Sequence, residues 1–236
     1  MANGNLQGKR VAILVTDGFE QVELLEPRKA LDEAGATTKV VSPANKNKKV
    51  KGWNHTEWGN EVPVDVSLDS AKAEEFDALL LPGGVMNPDH LRMDPQAVEF
   101  VKHFVNERKP VAAICHGPWT LIEAGGVEGR TITSWPSLKT DLRNAGANWV
   151  DKEVISDEML VTSRKPDDIP TFNRQMIRLF SRCRVLGAAQ ENCLAARSQG
   201  TARRKIVRAV PLSPGNHIGL RYFGHLLAPS FTPMYD

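Results

Sequence analysis

Cys115 stands between an apolar run, Pro110 to Ile114, and the segment His116-Gly117-Pro118-Trp119. A short run of small and β-branched apolar residues bounded by Pro and Gly reads as a buried strand. Trp119 to Ala124, stopped by Gly125, reads as a short helix. Cys115 therefore falls on a strand-to-helix turn, where free backbone N–H groups and the helix dipole favour a thiolate over a thiol. A thiolate so placed is a nucleophile toward a carbonyl carbon. The plain alternative is a small buried side chain that only fills space. The turn chemistry on both sides favours the reactive reading. The other two cysteines, Cys183 and Cys193, lie near the C-terminus and are read as incidental.

Other residues could serve such a thiolate. Pro82-Gly83-Gly84 closes the apolar run Asp77 to Leu81, and paired glycines allow close backbone approach and unusual dihedrals. Glu20 lies just past another apolar run, Arg10 to Thr16, so its carboxyl could reach a neighbouring strand end; alone it would be a capping or solvated residue. His116 follows the cysteine directly. Helical neighbours project about 100° apart, so His116 could act as a base on Cys115 only through a distorted turn, whereas its backbone N–H needs only the turn geometry. Trp53, His55, Glu57, Trp58 and Trp119 are candidates for pocket walls, although loop tryptophans also cover core edges and interfaces. His55 with Glu57 is too sparse a pair for a metal site, and neither metal nor organic cofactor is expected.

The elements that must position these residues alternate. Strands are expected at Arg10–Thr16, Thr37–Ser42, Glu61–Leu68, Asp77–Leu81, Pro110–Ile114 and Thr131–Ser134. Helices are expected at Glu20–Ala34 (with Pro27 starting or kinking one), Asp94–Arg108, Trp119–Gly125, Ser137–Ala145 and Asp167–Phe180. Val154–Ile155 and Met159–Thr162 form a hairpin around Ser156-Asp157-Glu158, and Pro43–Asn60 reads as a polar, lysine-rich loop. Continuously apolar strands alternating with helices imply an α/β domain with a mainly parallel sheet covered on both faces. Such sheets bind ligands at the carboxyl ends of their strands, where Asp17-Gly18, Pro82-Gly83-Gly84 and Cys115-His116 would meet.

The chain carries 30 Lys and Arg against 28 Asp and Glu, but the balance is uneven. From Ser181 onward eight basic residues face two acidic ones, so the tail is +6 and residues 1–180 are −4. A mildly acidic body gives no electrostatic reason to expect a nucleic acid or an anionic membrane. The start of the chain lacks a signal-peptide pattern, no run approaches membrane-spanning length, and a single cysteine in the body fits a reducing cytoplasm. Residues 181–236 show no sustained period, and composition breaks after Phe180. The expectation is a 1–180 domain followed by a poorly ordered, extraneous basic tail of solvated charge.

The set Asp17-Gly18-Phe19-Glu20-Gln21-Val22-Glu23, Leu81-Pro82-Gly83-Gly84 and Ala113-Ile114-Cys115-His116-Gly117-Pro118 resembles the PfpI-like intracellular protease and protein deglycase family, part of the ThiJ/PfpI superfamily. Lys139 to Asp141, Asn144 to Ala147 and Thr162 to Asp168 extend the likeness over about residues 9–180. The resemblance implies a flavodoxin-like three-layer α/β sandwich that assembles as a dimer or hexamer. It implies a Cys115 nucleophile on a strained elbow and a buried glutamate partner matching Glu20. It also implies an oxyanion site from Gly83, Gly84 and the His116 N–H, with Asp89, in place of a glutamate, orienting His116 across subunits.

Three functions follow. The first is a stress-response enzyme of the deglycase and glyoxalase type, in which Cys115 adds to an α-oxoaldehyde or to its adduct on an amine or thiol. The second is an intracellular cysteine peptidase using Cys115, His116 and Asp89. The third is a redox sensor or holdase in which Cys115 oxidises. Glutamine amidotransfer is excluded, since no histidine lies between Gly117 and Phe180.

Overall fold

The computed structural model describes residues 5–43 and 48–182. The first half runs β1 (Arg10–Leu14), β2 (Phe19–Glu20), α1 (Gln21–Glu33), β3 (Thr37–Ser42), β4 (Lys49–Asn54), β5 (Glu57–Pro63), β6 (Val66–Ser67), β7 (Ala78–Leu81), α2 (Met86–Met93) and α3 (Pro95–Asn106). The second half runs β8 (Val111–Ile114), α4 (Pro118–Glu123), β9 (Thr131–Ile132), α5 (Lys139–Asn144), β10 (Asn148–Trp149), β11 (Val154–Asp157), β12 (Leu160–Ser163) and α6 (Ile169–Arg182).

Within the described residues the central sheet has seven strands in the order β11-β12-β8-β7-β1-β3-β6. All neighbours are parallel except β11 and β12, the expected hairpin. The strands are apolar on both faces because both are covered. Ala12, Leu14, Leu79, Leu81, Val111 and Ala113 face α2 to α5, packing on Leu91, Phe100, Phe104 and Leu121. Val11, Ile13, Leu80, Ala112 and Ile114 face α1 and α6, packing on Leu24, Leu31, Phe172 and Met176. This is the expected three-layer α/β sandwich.

Two local expectations are corrected. Pro43–Asn60 is not simply a loop: β4 and β5 form an antiparallel hairpin that joins β2 in a separate three-stranded sheet. Its strands are mostly exposed, so only Val50, Gly52 and Val62 are buried and no apolar run marks them. The second correction is α2, a helix absent from the expected elements, with Pro88 inside its first turn. Asp94 caps α3 as expected, accepting from the N–H groups of Gln96 and Ala97 at 2.9 and 3.4 Å. The expected basic tail lies, from residue 183 onward, outside the described residues.

Candidate active site

The β8 strand ends in the core and the chain must turn at once into α4. It does so through Cys115, whose φ of 60° lies in the left-handed region that non-glycine residues seldom adopt. The turn is held by Cys115 N–H donating to Ser163 O at 3.0 Å, Gly117 N–H to Ile114 O at 2.9 Å and Trp135 N–H to Cys115 O at 3.0 Å. Gly117 has no room for a side chain, since a Cβ there would come 2.5 Å from Leu81 O. Strain at a single residue, fixed by its surroundings, marks a functional position.

The carboxyl beside the sulfur belongs to Glu23, not to Glu20. Glu23 is fully buried on α1, one of the stripe Glu23, Leu24, Pro27 and Leu31 that faces the core. Its Oε2 accepts from Gly83 N–H at 3.0 Å, and its charge acts directly on the Cys115 thiol. Burial pushes its pKa up to about 8, so it holds its proton at neutral pH. Burial and the nearby Glu23 carboxylate push the Cys115 thiol well up, while the backbone N–H groups of Gly84 and His116 act the other way. Glu23 raises Cys115, whereas Cys115 lowers Glu23 against the raising effects of burial and of Glu20. The groups that favour a Cys115 thiolate are the backbone N–H groups of Gly84 and His116.

Glu20 precedes α1 as its N-terminal cap residue, outside the buried stripe, and lines the mouth of the same cleft. Its carboxyl is raised by burial, opposed by His55.

Gly83 and Gly84 stand where expected, against the sulfur. A Cβ on Gly83 would lie 2.6 Å from both Cys115 Cβ and Glu23 Oε2. Gly84 has φ 76°, and a Cβ there would meet Gly18 O at 2.5 Å. This loop is pinned by Asn87, a fully buried α2 residue that sequence reading passed over. Its Nδ2 donates to Pro82 O and Gly83 O at 3.0 and 3.1 Å, and its Oδ1 accepts from Thr16 N–H at 2.8 Å.

The left-handed turn also brings His116 Nδ1 to 3.2 Å from Cys115 Sγ, a contact that ordinary helix geometry would forbid. Nε2 faces Ser137 Oγ at 3.4 Å, and the ring packs between Trp119 and Trp135. Burial lowers its pKa to about 4, so the imidazole is neutral at physiological pH. Asp89 is exposed on α2 and makes no hydrogen bond to His116 within the described chain. Trp119 is corrected as a pocket residue: it backs His116, donating its indole N–H to Asp141 at 2.8 Å under the Arg92 guanidinium. Trp135, Trp53 and His55 take the cleft walls in its place, around a volume of about 330 Å³ that opens onto Cys115.

The DJ-1/PfpI family pattern matches residues 9–179. This chain belongs to that family. General stress protein 18 of Bacillus subtilis (strain 168) is 48% identical over 176 residues, covering 74% of this chain and 99% of that protein. The "Putative cysteine protease YraA" of the same strain is 45% identical over 172 residues, covering 73% of this chain and 98% of its own. Among solved structures, a two-domain Anabaena variabilis protein with DJ-1/ThiJ/PfpI-like and ferritin-like domains is 36% identical with TM-score 0.67. That match covers 72% of this chain and 47% of the larger one. Schizosaccharomyces pombe DJ-1, 23% identical with TM-score 0.65 over 82% of this chain and all of its own, shares the fold.

For this DJ-1/PfpI chain, the sequence signal that could have separated Glu23 from Glu20 is the helical spacing. Glu23 falls four residues before Pro27 and eight before Leu31, on the apolar side of α1.

Proposed function

We propose that this protein converts α-oxoaldehydes, free or as early adducts on amines and thiols, to α-hydroxy acids. The observation that carries this reading is the buried Glu23 carboxyl beside the Cys115 nucleophile, an acid that titrates close to neutral pH, where acid–base transfer is most effective. The Cys115 thiolate adds to the aldehyde carbon, a C–S bond forms and the carbonyl oxygen takes the electron pair; an early adduct first reverts to that aldehyde, its C–N or C–S bond breaking as the amine or thiol takes back the hydroxyl proton. The N–H groups of Gly84 and His116, which favour negative charge on the sulfur, hold that oxyanion in this reading, and Glu23 supplies its proton. The Glu23 carboxylate then removes the proton from the thiohemiacetal carbon, and a proton returns to the neighbouring carbon. The product is a hydroxyacyl thioester, which water splits to the hydroxy acid and the free thiol. The overall change is addition of one water.

Peptide hydrolysis is the second reading, favoured by the 3.2 Å approach of His116 Nδ1 to Sγ and by the name of the B. subtilis relative. There His116 must accept the thiol proton and pass it to the leaving amine. Neither reading needs a cofactor. Both are proposed for a cytoplasmic homodimer or hexamer; no helix among the described residues is long and apolar enough to cross a membrane.

His116→Ala and Glu23→Gln, each assayed on methylglyoxal and on a fluorogenic peptide, separate the two. Loss of an acid–base group costs about 10²–10⁴ in rate. The proposed reading expects that loss for Glu23→Gln on methylglyoxal and a smaller one for His116→Ala. Peptide turnover that depends chiefly on His116 favours the peptidase.

A further inference from the structure

Gly83 and Gly84 carry N–H groups that act on Glu23 and Cys115, yet nothing in a Gly-Gly step fixes the tilt of its peptide planes, because glycine takes positive and negative φ with similar ease. Asn87 supplies what the glycines lack. A peptide group is planar and trans, so its C=O and N–H point to opposite sides. The Pro82–Gly83 peptide donates its N–H to Glu23 Oε2 at 3.0 Å, and its carbonyl accepts from Asn87 Nδ2 at 3.0 Å. The Gly83–Gly84 peptide carries the N–H that favours charge on the Cys115 sulfur, and its carbonyl accepts from the same Nδ2 at 3.1 Å. That carbonyl also accepts from Glu20 N–H at 3.4 Å. The two protons of one carboxamide thus hold the carbonyl ends of two successive peptides. Asn87 Oδ1 accepts from Thr16 N–H at 2.8 Å, which ties the arrangement to the chain leaving β1. The side chain is fully buried and does not line the cleft.

We propose that Asn87 is a positioning residue for the reacting groups: by gripping the carbonyls of Pro82 and Gly83, it sets the direction of the Gly83 N–H that serves Glu23 and of the Gly84 N–H that serves Cys115. Donation into a carbonyl also polarises its peptide and strengthens the N–H at the other end. What Glu23 and Cys115 do with their charges rests on the carbonyl-converting reading; how their N–H donors are held does not. Without the carboxamide, two buried carbonyls lose a donor and the glycine peptides are free to turn. A Cys115 thiolate then loses an oriented donor, so the thiol ionises at higher pH. A residue that served stability alone would leave that ionisation where it is.

The test is the rate of iodoacetamide alkylation across a pH series in the full chain, read at the Cys115 peptide by mass spectrometry. Asn87→Leu replaces the carboxamide with an apolar group of similar size and adds no charge. Glu23 on α1, His116 on the turn, and Glu20 and His55 at the cleft mouth are the titratable groups around the sulfur, and all are kept. The high-pH plateau reports access to the sulfur, and the midpoint reports its ionisation. In Asn87→Leu the midpoint should rise by about one pH unit, so that below it the rate, relative to its own plateau, is about tenfold slower. Phe104→Leu, which thins the core beneath α3, should melt earlier and keep the wild-type midpoint. In the unsubstituted chain, the Asn87 side-chain amide resonances should titrate with the Cys115 midpoint, since one peptide links the two groups; this needs no variant to fold. An unmoved midpoint in Asn87→Leu, an equal shift in Phe104→Leu, or an Asn87 amide that ignores Cys115 ionisation would each overturn the assignment. Alkylation involves no carbonyl substrate, so a chain that shows these shifts but makes no hydroxy acid contradicts the catalytic reading alone.

Discussion

Replacing Glu23 with Gln isolates the proton on which the site depends. The folded carboxyl titrates at about 8 and the unfolded one at 4.5. Between these values the folded chain keeps a proton that the unfolded chain has lost, so stability falls as pH rises. His116 works in the opposite sense. Its folded pKa of about 4 lies below the ordinary 6.5, so its contribution is complete above pH 6.5 and is lost as pH falls toward 4. Above pH 6.5 the histidine adds no slope, and the Cys115 thiol, pushed up by burial, adds none below pH 8. Glu23 is left as the main source over that window. At about 1.4 kcal/mol per pH unit, the wild type should lose about 2 kcal/mol between pH 6.5 and 8. The Gln side chain can still accept from Gly83 N–H, now made by Glu23 at 3.0 Å, so the fold is not otherwise disturbed. Urea unfolding at half-unit pH intervals should give a falling stability for the wild type and a nearly flat one for Glu23→Gln. Parallel curves would refute the assignment of a protonated Glu23.

Other outcomes follow from the same geometry. His116→Phe keeps the ring between Trp119 and Trp135 but cannot titrate, so it should remove an acid-side loss of roughly 2–3 kcal/mol between pH 6.5 and 4, leaving a steeper fall with rising pH in urea unfolding. Gly83→Ala forces a Cβ to 2.6 Å from Cys115 and Glu23 and should cost about 2–3 kcal/mol, read as a lower urea midpoint. Arg164→Met should cost about 3 kcal/mol in thermal unfolding, because it strands the carboxylate of Asp168, 4% exposed and held by Arg164 at 2.8 and 3.1 Å.

How much of this was legible in the sequence depended on burial. Strands β1, β7 and β8 are buried on both faces, so their apolar runs announced both the sheet and the strand ends where the site forms. The β4–β5 hairpin was hidden because a sheet lying mostly in water has no apolar run to show, and with it went the fixed position of Trp53. Cys115 was legible from its turn. Its partner was not, because two glutamates three residues apart differ only in which side of a helix they take. Glu23 lies on the buried stripe and Glu20 before the helix begins. The contact between His116 and the sulfur depends on a left-handed residue at Cys115, where the sequence offers no glycine to suggest one.

The central claim is that Cys115 is the nucleophile of a carbonyl-converting site. Its most direct measurement is the initial rate of lactate formation from methylglyoxal by wild type and Cys115→Ser at pH 7, with matched folding checked by circular dichroism. The account predicts hydroxy-acid formation by the wild type and its loss, to the rate without protein, in the serine variant. Full turnover by Cys115→Ser would contradict it.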